Sequence, residues 1–182
     1  MTRTRGSAAD IRVFEADLDL PEHGQAIVDL LDQYARDPMG GGTPLAERTR
    51  ANLVGELRRR DTAHVILALV DGKPAGLTNC FEGFSTFACK PLLNIHDVVV
   101  AAPFRGCGIS TLMFEQAEAL ARRLGCCKMT LEVLEGNVRA QEAYRARGFS
   151  GYELDPTMGR AMFWEKKLPD ASAEQRRAQP QA

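Results

Sequence analysis

The stretch from Val98 to Leu120 constrains this chain most. Val98, Val99 and Val100 form an apolar β-branched run that ends near Pro103. Arg105, Gly106, Cys107 and Gly108 follow, and an amphipathic helix opens at about Ile109 and Ser110. A strand feeding a Gly-rich turn into a helix start aims several free backbone N–H groups at one point, together with the positive end of the helix dipole. Such a point suits a phosphate or pyrophosphate. A short Gly-x-Gly turn is weak evidence alone, because a plain structural turn has the same sequence.

The 182 residues suffice for one domain with a full core. Lys and Arg number 23 against 24 Asp and Glu, a formal charge of -1. That balance argues against nucleic acid or a membrane surface as partner, since both call for a basic excess. No apolar run approaches a membrane span, and Met1–Gly6 has no apolar core after its arginines, so it does not read as a signal peptide. The five cysteines are odd in number and form no C-x-x-C pair. Free thiols in a reducing cytoplasm are the simplest reading. His23, His64 and His96 lie far apart, so no metal site is expected.

Residues 1–10 read as a flexible leader, 11–168 as one domain, and 169–182 as a disordered tail without large apolar groups. Strands are expected at 11–16, 64–70, 75–84, 94–100 and 128–134, with two more near 149–154 and 160–167 closing as a hairpin. Helices are expected at 21–35, 45–60, about 109–124 and 138–147. Asp71-Gly72 reads as a tight hairpin turn. The strand–helix–strand unit in the middle implies a parallel pair with a right-handed crossover, flanked by antiparallel neighbours. The fold class is therefore α/β, a mixed sheet with helices on both faces.

A second cluster follows the loop. Asn137 and Tyr144 are seven residues apart, close to two helical turns, with Ala140 between them. One helix stripe then offers an amide, a gap and a phenol. A phenol with a pKa near 10 is able to protonate a leaving thiolate. The bland readings are an Asn that caps its helix and a Tyr that packs under the sheet. A Rossmann dinucleotide loop is the structural rival, but it needs a third Gly and a place in the first βα unit.

Arg105-Gly-Cys-Gly-Ile-Ser110, with Asn137, Ala140, Tyr144 and Gly148-Phe149 downstream, resembles the GNAT family of acetyl-CoA-dependent N-acetyltransferases. The resemblance covers roughly 11–167 and rests on motifs within 94–149. It implies a mostly antiparallel sheet of about six or seven strands with a central splayed parallel pair. It also implies that the 105–110 loop (Arg105, Gly106, Cys107, Gly108, Ile109 and Ser110) holds the pyrophosphate of acetyl-CoA. The strand Val98-Val99-Val100, chiefly the backbone of Val99 and Val100, would pair with the pantetheine and polarise the thioester. Asn137 and Ala140 would touch the pantetheine, and Tyr144 would be the general acid. Ser110 departs from the family's Gly or Ala in the last loop position, but is small enough to keep close approach.

Phe84-Ser-Thr-Phe87 and Asn94-Ile-His-Asp97 are similar to the polyamine and thialysine branch, where such residues line the amine site. Tyr34, Phe84, Ser85, Thr86 and His96 would then bind the acceptor, with His96 or Asp97 taking its proton. That branch carries Glu where this chain has His96, and a His is able to take a proton but brings no fixed negative charge. Strand alternation predicts that only one of His96 and Asp97 faces the cleft, and the pair also reads as a satisfied polar couple. The Met39–Gly42 segment reads equally as a lid with Gly hinges and as a connecting loop. The function implied is acetyl transfer to a primary amine of a small molecule. Alternatives are acetylation of a protein amine and a non-catalytic acyl-CoA-binding module. Dimers are common among similar proteins, so the resemblance allows a homodimer.

Overall fold

A computed structural model describes residues 9–168. The expected leader lies outside the described residues save Ala9 and Asp10, and the expected tail lies wholly outside them. Two compact units meet in the chain at Glu142/Ala143.

The first unit is built on a five-stranded sheet in the order β1 (Ile11–Glu15), β2 (Ala63–Val70), β3 (Lys73–Ser85), β4 (Lys90–Val100), β5 (Met129–Leu131). The first three pairings are antiparallel and β4–β5 is parallel. Asp71 and Gly72 join β2 to β3 with φ of 49° and 74°. Both central residues thus sit at positive φ, the twist-matched form of a two-residue hairpin.

Helices α1 (Pro21–Arg36) and α2 (Glu47–Arg58) lie between β1 and β2 in the chain, and α3 (Ile109–Arg123) carries the crossover from β4 to β5. Pro21 opens α1, where its missing N–H is no loss. Ile27 and Leu30 of α1 are fully buried against Leu67, Leu77 and Val99. Each such side chain contributes roughly 1.5–3 kcal/mol. The opposite sheet face packs on α3, which buries Ile109, Met113, Ala117 and Leu120. Two-sided burial is why β2 reads as a near-continuous apolar run.

Gly76 marks the closest approach on the α3 side. A Cβ there would lie 2.5 Å from Met113 Sδ and 3.1 Å from the Val99 carbonyl oxygen. The helix sits against the sheet only because that side chain is missing.

α4 (Val138–Arg145) runs across the division between the units. In the second unit, Gly148 follows it at φ 85°, and the Phe149 N–H returns to the Tyr144 carbonyl at 3.1 Å. The two strands expected near 149–154 and 160–167 reduce to one antiparallel bridge, Glu153↔Arg160. The Pro156–Met158 turn, capped by the Asp155 carboxylate, occupies the chain between them. Short strands draw their stability from a longer ladder, and here the ladder is a single rung. Among the described residues the sheet thus has five strands, with the mixed character and parallel pair expected. No helix among these residues is long and apolar enough to cross a membrane, and no group of three His, Cys, Asp or Glu is placed to hold a metal ion.

Gly76→Ala is expected to cost roughly 1–3 kcal/mol through overpacking and to lower Tm by several degrees. An unchanged melting curve would mean that α3 does not press on β3 at this point.

Candidate active site

The site begins with a break in β4. Its parallel pairing with β5 runs Leu93↔Met129, Asn94↔Thr130, Ile95↔Leu131 and stops there. On the other side, Cys80 pairs with Ile95 and Asn79 with Asp97. His96 is the extra residue, so β4 carries a bulge at the point where β5 leaves it. A bulge bends its strand and re-aims the side chains around it. Among the described residues, the β5 side of β4 lacks a strand from His96 to Val100.

Backbone parity decides which groups face that opening. The Ala101 N–H donates to the Ala75 carbonyl at 2.9 Å. Alternation then turns Val99 toward β3 and turns the N–H and C=O of Val98 and Val100 outward. The Val100 carbonyl confirms this parity by accepting from Arg105 Nε at 3.0 Å. The expectation that Val99 and Val100 present their backbone is corrected accordingly. Val98 and Val100 do so, and Val99 gives its side chain to the core under α1.

The bulge also changes the two polar residues. Asn79 and Phe81 are two apart on β3 and share a face. Asp97 Oδ2 accepts from Asn79 Nδ2 at 2.9 Å, and the His96 ring stands edge-on to Phe81 with centroids 5.5 Å apart. Both therefore lie on the α1 face, and alternation, which predicted only one there, fails because of the inserted residue. Asp97 is oriented by Asn79, a partner that a lone Asn in an apolar strand did not signal. Tyr34 on α1 completes this face. Burial first, then the charges of Asp97 and Asp37, push its hydroxyl above the ordinary tyrosine value.

Past β4, a turn at Ala102–Phe104 leads to Arg105. Arg105 ties the loop down twice, to the Val100 carbonyl and to Asp37 Oδ2 at 3.3 Å. Gly106 and Gly108 sit at φ 82° and 78°, the left-handed region that a side chain would strain. Gly108 caps α3 with no side-chain acceptor, and no acidic residue occupies the first turn. Among the described residues the N–H groups of Gly106, Gly108, Ile109 and Ser110 have no protein acceptor. Free amides at the start of a helix, together with its dipole, suit an anion. The Cys107 side chain is exposed between the two glycines, whereas burial pushes the buried Cys80 thiol up to about 12.

Asn137 caps α4: its Oδ1 accepts the Ala140 N–H at 3.2 Å. Half-buried Ala140 thus sits in the first turn. Tyr144 lies in the last turn, in the second unit, its ring edge-on to Phe149 at 6.2 Å.

Phe84, Ser85 and Thr86 stand at the tip of the β3–β4 hairpin, where Ser85 pairs with Lys90. Ser85 Oγ accepts the Ala88 N–H at 3.3 Å. Six residues of strand separate Ser85 from Asn79, roughly 20 Å. One copy of the chain does not bring them to His96 and Asp97. The Met39–Gly42 segment is stitched rather than free. The Asp37 carboxylate caps it through the Met39 N–H at 3.0 Å, and the Thr43 N–H reaches the Ala35 carbonyl.

Glu132 is a further polar group at the opening that the sequence reading missed. Asn94, which faces α1 through its pairing with Phe81, donates to Thr130 and to both Glu132 oxygens, each at 3.2 Å. An Asn three residues before an Asp on one strand was the available signal.

Known proteins resemble this chain in sequence and fold. The profile of the acetyltransferase (GNAT) family matches residues 24–149. Streptothricin acetyltransferase of Streptomyces lavendulae is 34% identical over 98 residues, 54% of this chain and 50% of that enzyme. An uncharacterized N-acetyltransferase of Methanocaldococcus jannaschii is 31% identical over 99 residues, 54% of this chain and 44% of that protein. The chain thus spans about half the length of these two relatives. Thialysine N-epsilon-acetyltransferase of Caenorhabditis elegans is 23% identical over 137 residues, 72% of this chain and 79% of that one. The solved structure of aminoglycoside N-acetyltransferase AAC(6')-Iy in complex with CoA has the same fold, with a TM-score of 0.69 at 16% identity over 91% of this chain and all of that one. The matched residues cover β2 to β5 and α4, and this chain belongs to the acetyltransferase (GNAT) family.

Proposed function

We propose that the chain transfers acetyl from acetyl-CoA to a primary amine of a small molecule by direct attack. One observation carries the reading: among the described residues the β4 edge at Val98 and Val100 has no strand beside it, and it continues into the free amides of Gly106, Gly108, Ile109 and Ser110. A strand-like pantetheine with a diphosphate at one end matches that pattern of donors and acceptors. The loop amides take the diphosphate, and the two valines pair with the arm. Asn137 and Ala140 border it from α4. The named relatives act on streptothricin and thialysine, and a structural neighbour on aminoglycosides, so small amines are the substrate class favoured.

In the proposed step Asp97 or His96 takes a proton from the acceptor ammonium. The freed nitrogen lone pair attacks the thioester carbonyl carbon. A backbone N–H on the outward edge of β4 stabilises the charge that develops on the carbonyl oxygen. The carbon–sulfur bond then breaks, and Tyr144 gives its proton to the departing sulfur. The second proton of the attacking nitrogen passes through water to the Tyr144 phenolate, which leaves a neutral amide, a free thiol and a restored tyrosine. Tyr34, kept neutral by its surroundings, helps wall the acceptor side next to Asp97. The hairpin-tip residues Phe84, Ser85 and Thr86 take no part within one copy.

Tyr144→Phe is expected to lower kcat about a hundredfold while leaving CoA affinity by calorimetry unchanged. Full activity would remove Tyr144 as the acid. A wild type that binds CoA but acetylates no amine would point to an acyl-CoA-binding module. Alkylation with iodoacetamide near pH 8, read by mass spectrometry, is expected to label Cys107 and to spare Cys80. Bound CoA should then protect Cys107, and labelling unaffected by CoA would place the diphosphate elsewhere.

A further inference from the structure

We propose that Asn79 is the positioning residue of the acceptor site, fixing Asp97 and holding the water that carries the amine's proton to it. This rests on the acetyl-transfer reading above.

Asn79 is 3% exposed, on a strand whose neighbours Leu77 and Cys80 are fully buried. An isosteric Leu would pack there without any polar demand. The amide does two things instead. Nδ2 donates to Asp97 Oδ2 at 2.9 Å. Oδ1 is buried with no hydrogen-bond partner among the described residues. An unsatisfied buried acceptor costs roughly 1–3 kcal/mol, and buried polar atoms that persist unpaired within a protein are generally met by a water or a ligand.

The place of this orphan gives it meaning. It lies on the α1 face beside the bulge, where Asp97, His96 and Phe81 gather under Tyr34. Donation from Nδ2 occupies Oδ2 of Asp97 and leaves the other carboxylate oxygen for a proton. A water that donates to Asn79 Oδ1 and to Asp97 keeps a lone pair for the acceptor ammonium. The ammonium proton passes to that water, and a water proton passes to the Asp97 carboxylate. The nitrogen gains its lone pair, Asp97 becomes neutral, and the water is restored. Asn79 touches neither reacting atom, so its part is to orient.

The test compares wild type, Asn79→Leu and Asn79→Ser by thiol release from acetyl-CoA, with thialysine, streptothricin and sisomicin as acceptor probes. Asn79→Leu is expected to melt no lower than wild type and to keep KM for acetyl-CoA within twofold. Its kcat should fall at least tenfold, with a larger solvent deuterium isotope effect. Asn79→Ser, which keeps an acceptor oxygen and leaves room for water, should recover part of that rate. Should Asn79→Leu fail to fold, Asn79→Ser carries the test by a lower kcat at unchanged KM for acetyl-CoA. A variant with wild-type kcat in an active background overturns the role of Asn79 alone. A wild type that binds CoA but acetylates none of the three probes overturns the function reading and this inference with it.

Discussion

The unpaired backbone edge of β4 is the constraint on which the rest of the site depends. Sheets normally pair their strands or shield the edge, because rows of free N–H and C=O groups invite another chain. Here β5 leaves after Leu131, directly beside the bulge at His96. The opening lies within the fold, between two elements tied by α3, and so presents donors and acceptors to an extended ligand. The loop at Arg105–Gly108 extends the same device past the strand end. It adds amide donors in a left-handed geometry that only the two glycines accept without strain.

The two ends of this surface are held by different means. At the loop, Arg105 bridges the Val100 carbonyl and Asp37, joining the end of β4 to the segment after α1. At the bulge, His96 and Asp97 turn to one face, and Asn79 and Phe81 on β3 receive them. The close packing of α3 at Gly76 keeps the sheet fixed behind both. Catalytic groups held on rigid strands lose less to disorder than groups on loops, which is how a small displacement is kept from costing rate.

Much of the frame was legible in the residues because local chemistry dictates it. Asp71-Gly72 demands a hairpin, Gly108 before Ile109 a helix start, and Gly125 a helix stop. Each is a one-residue conformational requirement that neighbours do not change. The bulge was not legible. It arises from how Asn79 and Cys80 pair with β4, and a one-residue register shift leaves no mark in β4 itself. With it went the placement of His96, which simple alternation opposed to Asp97, and the choice of Val98 over Val99 on the open edge. Asn79 escaped notice because burial, not composition, makes an amide unusual. Ser85 and Thr86 sat near the right strand in sequence, yet a 13-residue β3 carries them to the far end of the hairpin. The last two strands were read from their alternation, but alternation says nothing of whether a ladder partner is present.

The central claim is that the β4 edge and the loop amides together grip one extended ligand. Amide hydrogen–deuterium exchange, measured at residue resolution with and without coenzyme A, tests it most directly. The account predicts slowed exchange at Val98, Val100, Gly106, Gly108, Ile109 and Ser110, with Val99 unaffected because its N–H already lies in the β3 ladder. Protection confined to other segments, or none at saturating coenzyme A, would contradict it.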